Sequence, residues 1–338
     1  MEMDSDKKIS LFASCIPVKG AMRSLVCDLQ RNSYEFIPNE LYDILIKYNG
    51  RKLYELYEEY TDFKDIIDEY LFFLKEKEYI FYTSDYELYP KMDLHWDQPS
   101  KIINAIIDFS SKSLYNFEVL IRQLDELGCM FIQFKVYDLV DLAEIKKFIL
   151  LTKKSRIRGI ELILPNSIIS NREELLELIN LNGRLLKIIL HSALNDEVII
   201  LKSKIKAIYM KQEISSSDHC GFIHPADFVV DMDVFTEGLN HNSCLNKKIS
   251  IDENGNIKNC PSMKTSFGQI GHIKLIDVIN NENFNKLWNI TKDQTNICKD
   301  CEFRYICTDC RAFIEDQDNI YSKPLKCNYD PYTTTWKN

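Results

Sequence analysis

Residues 102–137 read IINAIIDFSSKSLYNFEVLIRQLDELGCMFIQFKVY, and this stretch indicates the fold of the central part of the chain. Residues 102–109 form an apolar run with the length of a buried strand, and residues 130–137 form a second one. Between them, residues 115–127 carry apolar side chains at helical spacing, and Gly128 marks the end of the helix. Two strands joined through a helix predict a parallel β-α-β unit with a right-handed crossover.

The same alternation of strands and helices continues toward the middle of the chain. The further predicted elements are strands at 159–164, 185–191 and 205–210 and helices at 142–152 and 173–181. Asn171 is a suitable N-cap for the last of these helices. Residues 101–215 therefore predict the α/β class, and more narrowly a partial (β/α) barrel whose site lies at the carboxyl ends of its strands.

Residues 1–90 predict a separate N-terminal module. Its predicted elements are strands at 11–18 and 24–30, helices at 39–46, 51–60 and 63–77, and a closing strand at 79–83. This order indicates a winged-helix-like module, and the alternative is a structural appendage without a binding role. Residues 90–100, which include Pro90 and Pro99, predict a linker.

The overall composition excludes several classes of protein. The chain has 338 residues and a net charge of −9, so it repels phosphate backbones and nucleic acid is not an expected partner. No run reaches the roughly 20 apolar residues of a membrane helix, so no membrane span is expected. Residues 1–8 are charged and precede no cleavable apolar segment, so we expect no signal peptide and a cytoplasmic protein.

Cysteine is the most informative residue type in this sequence. Eleven cysteines occur, and eight of them lie between Cys220 and Cys327. In a reducing cytosol thiols do not form structural disulfides, so a local excess of cysteine indicates metal binding. Residues 216–338 are rich in loops, with one helix predicted at 276–287, and metal ligation would supply the rigidity that a small core cannot.

The close-set cysteines favour one kind of metal centre. Cys298, Cys301, Cys307 and Cys310 follow the pattern C-x2-C-x5-C-x2-C. The central gap is too short for the opposed knuckles of a zinc site, which are usually about 15–20 residues apart. It suits a chain that wraps around an iron–sulfur cluster and sends one cysteine to a second cluster. Structural zinc and unligated thiols remain the alternatives.

A predicted hairpin brings two more cysteines together. Asn254 and Gly255 lie between two strand-like segments and are typical of a two-residue turn with positive φ at both positions. Such a hairpin places Cys260 at its open end, close to the chain that carries Cys244.

These spacings resemble the SPASM domain, the auxiliary-cluster region of many radical S-adenosylmethionine (SAM) enzymes that modify peptides. The matching pattern is Cys244-x10-Gly255-x4-Cys260, then the close-set cysteines at 298–310, then Cys327. One departure is visible, because the family usually has three residues, and not two, in the last close-set pair. The resemblance implies a radical-SAM-like barrel with a C-terminal iron–sulfur domain.

The resemblance also implies two interleaved [4Fe–4S] clusters. Its implied ligands are Cys298, Cys301, Cys307 and Cys327 for one cluster and Cys244, Cys260 and Cys310 for the other. For the missing fourth ligand, Cys220 is the preferred candidate and His241 is the second, since imidazole can replace thiolate on iron. A buried free thiol remains the alternative for Cys220, and an ordinary hydrogen-bonded role remains open for His219, His224 and His241.

One motif of radical SAM enzymes is missing. In those enzymes a C-x3-C-x2-C loop after the first barrel strand holds a cluster with one iron open to S-adenosylmethionine. The corresponding residues here, 110–117, read SSKSLYNF and contain no cysteine. Cys15, Cys27 and Cys129 lack the required spacing. We therefore expect a radical-SAM-like scaffold that does not bind S-adenosylmethionine and has no catalytic residue of that kind.

A narrower resemblance suggests partners. Residues 242–262, NSCLNKKISIDENGNIKNCPS, look like the SPASM protein of the grasp-with-spasm peptide-modification systems. That family implies a ribosomal precursor peptide and an ATP-grasp peptide ligase as partners, which fits the lack of a P-loop here. The N-terminal segment is similar to winged-helix modules that capture a leader peptide by strand addition.

Three functions remain open on the sequence alone. The preferred one is a cluster-bearing accessory protein of peptide maturation without radical SAM activity. The second is an active maturase in which an auxiliary cluster with an open site performs redox or radical chemistry. The third is a zinc-stabilised interaction protein without a redox role.

Overall fold

The computed structural model describes residues 6–201 and 205–337, which form a mixed α/β structure. The N-terminal elements are β1 (Lys8–Leu11), β2 (Cys15–Val18), β3 (Ser24–Asp28), β4 (Ser33–Ile37), α1 (Asn39–Tyr48), α2 (Leu53–Glu59), α3 (Lys64–Glu76) and β5 (Ile80–Thr83). β2, β3 and β4 pair in that order as an antiparallel sheet, which we name the N-terminal sheet, and β1 pairs with β5. The three predicted helices and the closing strand are therefore present.

The N-terminal helices form because their apolar residues recur on one face. In α3, Ile67, Leu71 and Leu74 are buried and lie three or four positions apart. They share a core with Ile9 of β1 and Ile80 of β5. This core lies on one side of the module, and the N-terminal sheet has a second apolar contact with the C-terminal part of the chain.

An eight-stranded sheet forms the centre of the molecule. Its strands are β6 (Asn104–Phe109), β7 (Phe131–Val136), β8 (Gly159–Pro165), β9 (Leu185–His191), β10 (Glu197–Ile200), β11 (Lys206–Tyr209), β12 (Lys248–Ile251) and β13 (Ile257–Lys258). The spatial order is β10-β11-β9-β8-β7-β6-β12-β13, and all neighbours are parallel except at the two edges. The predicted large, mostly parallel sheet is confirmed.

Helices cover one face of this sheet. They are α4 (Phe117–Glu126), α5 (Leu142–Leu151) and α6 (Arg172–Leu181). Asn116, Asp141 and Asn171 cap their N-termini with side-chain oxygens, as predicted for Asn171. Ile107 and Phe109 of β6 point into the helix-covered core, so Asp108 between them faces the other side of the sheet.

The C-terminal segment is partly built into the large sheet. Its remaining elements are α7 (Met232–Asn240), α8 (Leu275–Ile279), α9 (Glu282–Asn285), β14 (Tyr329–Asp330) and β15 (Thr335–Trp336). β12 pairs in parallel with β6, with Lys248 opposite Asn104. The large sheet therefore contains strands from both sides of the domain boundary that was expected near residue 215.

The helix predicted at 276–287 is wrong as a single element. The chain forms α8 and α9 with a break at Asn280 and Asn281. The side chain of Asn281 accepts a hydrogen bond from the backbone N–H of Asn283, which starts a new helix. Asparagine competes in this way with the helical hydrogen bonds and favours the cap.

The predicted hairpin forms, but its turn is longer than expected. Ser250 pairs with Lys258, and the loop between the strands is organised by Asp252. The carboxylate of Asp252 accepts hydrogen bonds from the backbone N–H groups of Asn254 and Asn256. Gly255 has a φ of +80°, whereas Asn254 does not adopt the left-handed conformation. The two-residue turn is therefore wrong, although the strand pairing that it predicted is right.

The segment predicted as a linker packs against the C-terminal part. Trp96 is buried and lies edge-on to His241 with 5.3 Å between ring centres. Asn240 donates a hydrogen bond to the backbone oxygen of Leu94.

Within residues 6–201 and 205–337, no helix combines the length and the apolar character required to cross a bilayer.

Candidate metal centres

Four of the predicted ligands meet where the C-terminal segment joins the large sheet. Cys220, Cys244, Cys260 and Cys310 interact with one another, and we name them the upstream group. Cys244 precedes β12 and Cys260 follows β13, so antiparallel pairing brings both thiols to one end of the hairpin. Cys220 shares a hydrogen bond with Cys260, and its sulfur lies 3.6 Å from the hydroxyl oxygen of Ser262.

A glycine allows the upstream group to close. Gly221 has a φ of +87°, and a Cβ atom placed there would lie 2.9 Å from the sulfur of Cys310. Any other residue would be strained at this φ and would push against that sulfur. The glycine that follows Cys220 therefore lets its backbone pass directly beside Cys310.

A lysine supplies positive charge to the upstream group. The ammonium of Lys248 lies 3.9 Å from the sulfur of Cys244, and its charge also acts on Cys260 and Cys220. Burial disfavours this charge, but the neighbouring cysteines and Glu237 act in the opposite direction and raise the pKa of Lys248. The lysine therefore stays protonated beside the sulfurs.

The contact between two thiols makes one of them acidic. The hydrogen bond from Cys260 lowers the pKa of Cys220 to about 5, and Ser262 and the charges of Lys135 and Lys326 act in the same direction. The same contact and burial raise the pKa of Cys260 well above its usual range. Of these two thiols, Cys220 is therefore the more acidic.

The remaining four predicted ligands influence one another electrostatically. Cys298, Cys301, Cys307 and Cys327 are named the downstream group. The buried ammonium of Lys292 donates a hydrogen bond to the sulfur of Cys307 at 3.5 Å, and its charge acts on Cys298 and Cys301. Cys327 lies close enough to Cys298 and Cys307 to raise the pKa of each.

Burial dominates the acidity of the downstream thiols. It raises the pKa of Cys298, that of Cys301 well above its usual range, and that of Cys307 to about 12. Such thiols stay protonated at neutral pH until a metal replaces the protons.

An ionic network surrounds Lys292. Its ammonium lies 3.7 Å from a carboxylate oxygen of Asp309, and the same oxygen accepts a hydrogen bond from Arg311 at 2.6 Å. Asp309 and Arg311 are both buried. Buried charges of this kind persist when they are paired, so the network fixes the lysine beside the thiols.

The downstream group shares an apolar core with the N-terminal sheet. Val18, Leu25 and Cys27 of that sheet pack in one cluster with Phe303 and Cys307. The chain between Cys301 and Cys307 therefore forms part of the surface on which the N-terminal sheet rests.

The predicted histidines do not join either group. His241 packs on Trp96 and hydrogen-bonds with Asn289, and its Nδ1 has no partner among the described residues. His219 lies 3.3 Å from Gln212, and His224 caps the short turn that begins at Pro225. Of the two candidates for the fourth upstream position, the structure brings Cys220 to the other thiols.

The loop after β6 is held by polar contacts. The hydroxyl of Ser111 donates to Asp138 at 2.6 Å, and that of Ser113 donates to the backbone oxygen of Glu253 at 2.6 Å.

Burial raises the pKa of the three remaining cysteines, each to about 12. These are Cys15, Cys27 and Cys129, which all lie in apolar cores.

The chemistry of the two donor sets fits iron–sulfur clusters. Each group offers four thiols, the ligand type that binds [4Fe–4S] clusters, and each has a lysine ammonium to offset the negative charge of ligated thiolates. All eleven cysteines lie in the described part of the chain and none forms a disulfide. The fit is one of donor type and not of arrangement, because among those same described residues no set of three or more His, Cys, Asp or Glu side chains is placed to hold a metal ion.

Sequence reasoning missed the charged residues at these centres. Lys248 lies four residues after Cys244, and Lys292 lies six residues before Cys298. This closeness in sequence was the one signal that could have pointed to them. Lysine is usually exposed, so the pattern alone gave no reason to place either ammonium against sulfur.

Glu237 predicts a pH dependence of stability. Burial raises its pKa to about 7, while Asn246 donates a hydrogen bond to its carboxylate at 3.0 Å. The folded chain holds this proton where the unfolded chain releases it, so folding stability falls as the pH rises from about 5 to about 8. We expect Glu237→Gln to remove about 2 kcal/mol of that fall. Urea unfolding at the two pH values measures it, and equal slopes for both proteins would contradict the assignment.

Comparison with known proteins gives distant likenesses. No protein family model matches the chain, and no curated protein matches it. SuiB of Streptococcus suis bound to S-adenosylmethionine is similar with a TM-score of 0.38 and 9% identity, over 94% of this chain and 98% of that chain. SuiB bound to the precursor peptide SuiA is similar with a TM-score of 0.35 and 8% identity, over 90% and 96%. Neither likeness is close enough to assign a family or an activity.

Proposed function

We propose that this protein binds two [4Fe–4S] clusters and acts in the maturation of a ribosomally synthesised peptide, together with an ATP-grasp ligase. The observation that supports the clusters is the division of eight cysteines into two groups of four, each beside its own lysine. The resemblance of the cysteine spacing to SPASM proteins supports the peptide substrate and the ligase.

The residues around each group suit a bound cluster. When bound, such a cluster supplies either electron transfer or rigidity. Lys248 and Lys292 lower the electrostatic cost of keeping deprotonated thiols in a buried site. Gly221 leaves room for the sulfur of Cys310, and Ser262 hydrogen-bonds with Cys220. Cys220, rather than His241, is the proposed fourth ligand of the upstream cluster.

The N-terminal sheet offers an edge for the leader peptide. In the described part of the chain, β4 pairs with β3 on one side and with no strand on the other. The opposite edge strand, β2, contains Pro17, which lacks a backbone N–H for pairing. Strand addition at β4 would supply backbone hydrogen bonds, and Phe36, whose side chain is exposed, would contribute to side-chain recognition.

The proposed activity does not include cleavage of S-adenosylmethionine. The loop at 110–117, which follows the first parallel strand, contains no cysteine where a radical SAM cluster requires three thiolates. An assay with reductant, peptide and S-adenosylmethionine tests this directly. Formation of 5′-deoxyadenosine above background would favour the active-maturase alternative.

Metal content is the first test of the proposal. Anaerobic reconstitution followed by iron and sulfide analysis should give about eight irons per chain. Stoichiometric zinc in a colourless protein purified without oxygen would support the zinc-stabilised alternative and end the cluster proposal.

Peptide maturation is the second test. Precursor and ligase are co-expressed with and without this protein, and the peptide mass is measured. We expect a mass change that depends on this chain, and a change that is complete without it would contradict an accessory role.

A further inference from the structure

The ends of β6 and β7 carry a buried carboxylate and a buried ammonium that form an ion pair without a hydrogen bond between them. Asp108 and Lys135 are opposite one another on these parallel strands and are 2% and 6% exposed. The Nζ atom of Lys135 lies 3.8 Å from Oδ1 of Asp108, which is longer than a hydrogen bond. Among the described residues, this Oδ1 has no hydrogen-bond partner.

The other polar atoms around the pair are satisfied. The hydroxyl of Tyr137 donates to Oδ2 of Asp108 at 2.7 Å, and that of Tyr115 donates to its backbone oxygen at 2.6 Å. The Tyr137 bond fixes the carboxylate and leaves Oδ1 available, while the Tyr115 bond holds the backbone of Asp108.

A neighbouring ion pair on the same face shows what a closed pair looks like. Lys187 and Glu161 are also opposite one another on adjacent strands, and their charged atoms lie 2.7 Å apart. Gln133 donates to the second oxygen of Glu161 at 2.7 Å, so this carboxylate is satisfied on both sides. The Asp108–Lys135 pair is more deeply buried, and a buried polar atom without a hydrogen bond is costly. A hydrogen-bonding group placed between its two charged atoms would therefore stabilise it more than it would the pair at Glu161.

We propose that Asp108 and Lys135 form a socket for one uncharged polar group of the bound peptide, either a hydroxyl or a carboxamide. Such a group accepts a hydrogen bond from the ammonium and donates one to Oδ1, so it satisfies both atoms. An added carboxylate would be repelled by Asp108, and an added ammonium by Lys135. The socket rests on the proposed function, and it takes a serine-like or asparagine-like side chain of the bound peptide.

Capped single residues test this preference in the full reconstituted chain. The probes are the N-acetyl methylamides of serine, asparagine, alanine and aspartate, and their dissociation constants are measured by ligand-observed NMR. We expect the serine or asparagine probe to bind at least about tenfold more tightly than the alanine and aspartate probes. Asp108→Asn and Lys135→Met should each abolish that difference, whereas Lys187→Met, the matched control, should retain it.

Stability separates a binding socket from an internal ion pair. The double variant Asp108→Asn/Lys135→Met removes both charges together, and a binding socket predicts a melting temperature equal to or above that of the unchanged chain. A melting temperature well below it would show a stabilising pair and overturn the socket. Equal binding of all four probes, or no binding, would also overturn it. If a preparation holds eight irons and binds the precursor peptide but shows no preference among the probes, the socket is refuted and the proposed function is not.

Discussion

Replacing Cys298 and Cys307 by serine should remove about four of about eight irons per chain and loosen the N-terminal sheet. The first effect follows because both cysteines belong to the downstream group. The second follows because this group shares its apolar core with Val18, Leu25 and Cys27. Hydrogen exchange measures it, and we expect the amides of residues 15–37 to exchange at least about tenfold faster.

The upstream group provides the matched control. Cys244→Ser with Cys260→Ser should remove a similar amount of iron, because it disables the other group. These cysteines flank β12 and β13, so faster exchange should appear in the hairpin at 248–258 and not in the N-terminal sheet. If both double variants loosened the N-terminal sheet equally, the packing of that sheet would not depend on the downstream group.

The central sheet was predictable because its elements are encoded locally. The apolar run at 185–191 coincides with β9, and the helix at 142–152 ends within one residue of α5. Each of these segments shows its period within a short window, so the sequence contains the signal in one place. The short strands β4 and β10 were not predicted. In β10 most residues are exposed, so its sequence lacks the alternation that marks a strand with one buried face.

The position of the C-terminal hairpin was not predictable from local pattern. The pairing of Ile249 with Ala105 joins residues that are far apart in the chain. The two strand-like segments and the turn between them predict a hairpin, but no residue in them indicates that β12 pairs with β6. The same limit applies to Lys135, because no local pattern predicts that this lysine is buried.

The candidate site was predictable where spacing alone carries chemistry. Four thiols separated by two, five and two residues limit how the chain can turn, and that constraint survives without knowledge of the fold. Spacing suggested only that one cysteine goes to a second cluster, and it was the resemblance to SPASM proteins that implied a different cluster for Cys310 than for Cys307. The charges beside the sulfurs were not predictable, because Asp309 and Arg311 become ligand neighbours only when the chain closes on itself.

Glu302→Ala should weaken the attachment of the N-terminal sheet by about 3 kcal/mol. Glu302 is 1% exposed and accepts hydrogen bonds from Arg23 at 2.8 Å and from Tyr329 at 2.5 Å. Alanine leaves the guanidinium of Arg23 and the hydroxyl of Tyr329 without this shared acceptor. The change should accelerate exchange of amides in β2, β3 and β4 by about a hundredfold.

A second acid–arginine pair on the same segment supplies the control. Asp293 accepts a hydrogen bond from Arg304 at 2.8 Å, but its side chain is 44% exposed. Asp293→Ala should therefore cost less than about 1 kcal/mol, because water replaces the lost partner. Glu302→Gln should fall between the two, since it keeps an acceptor for Tyr329 and loses the charge. Equal effects of the two alanine variants would mean that Arg23 does not anchor the N-terminal sheet, and that the apolar contacts with Phe303 hold it alone.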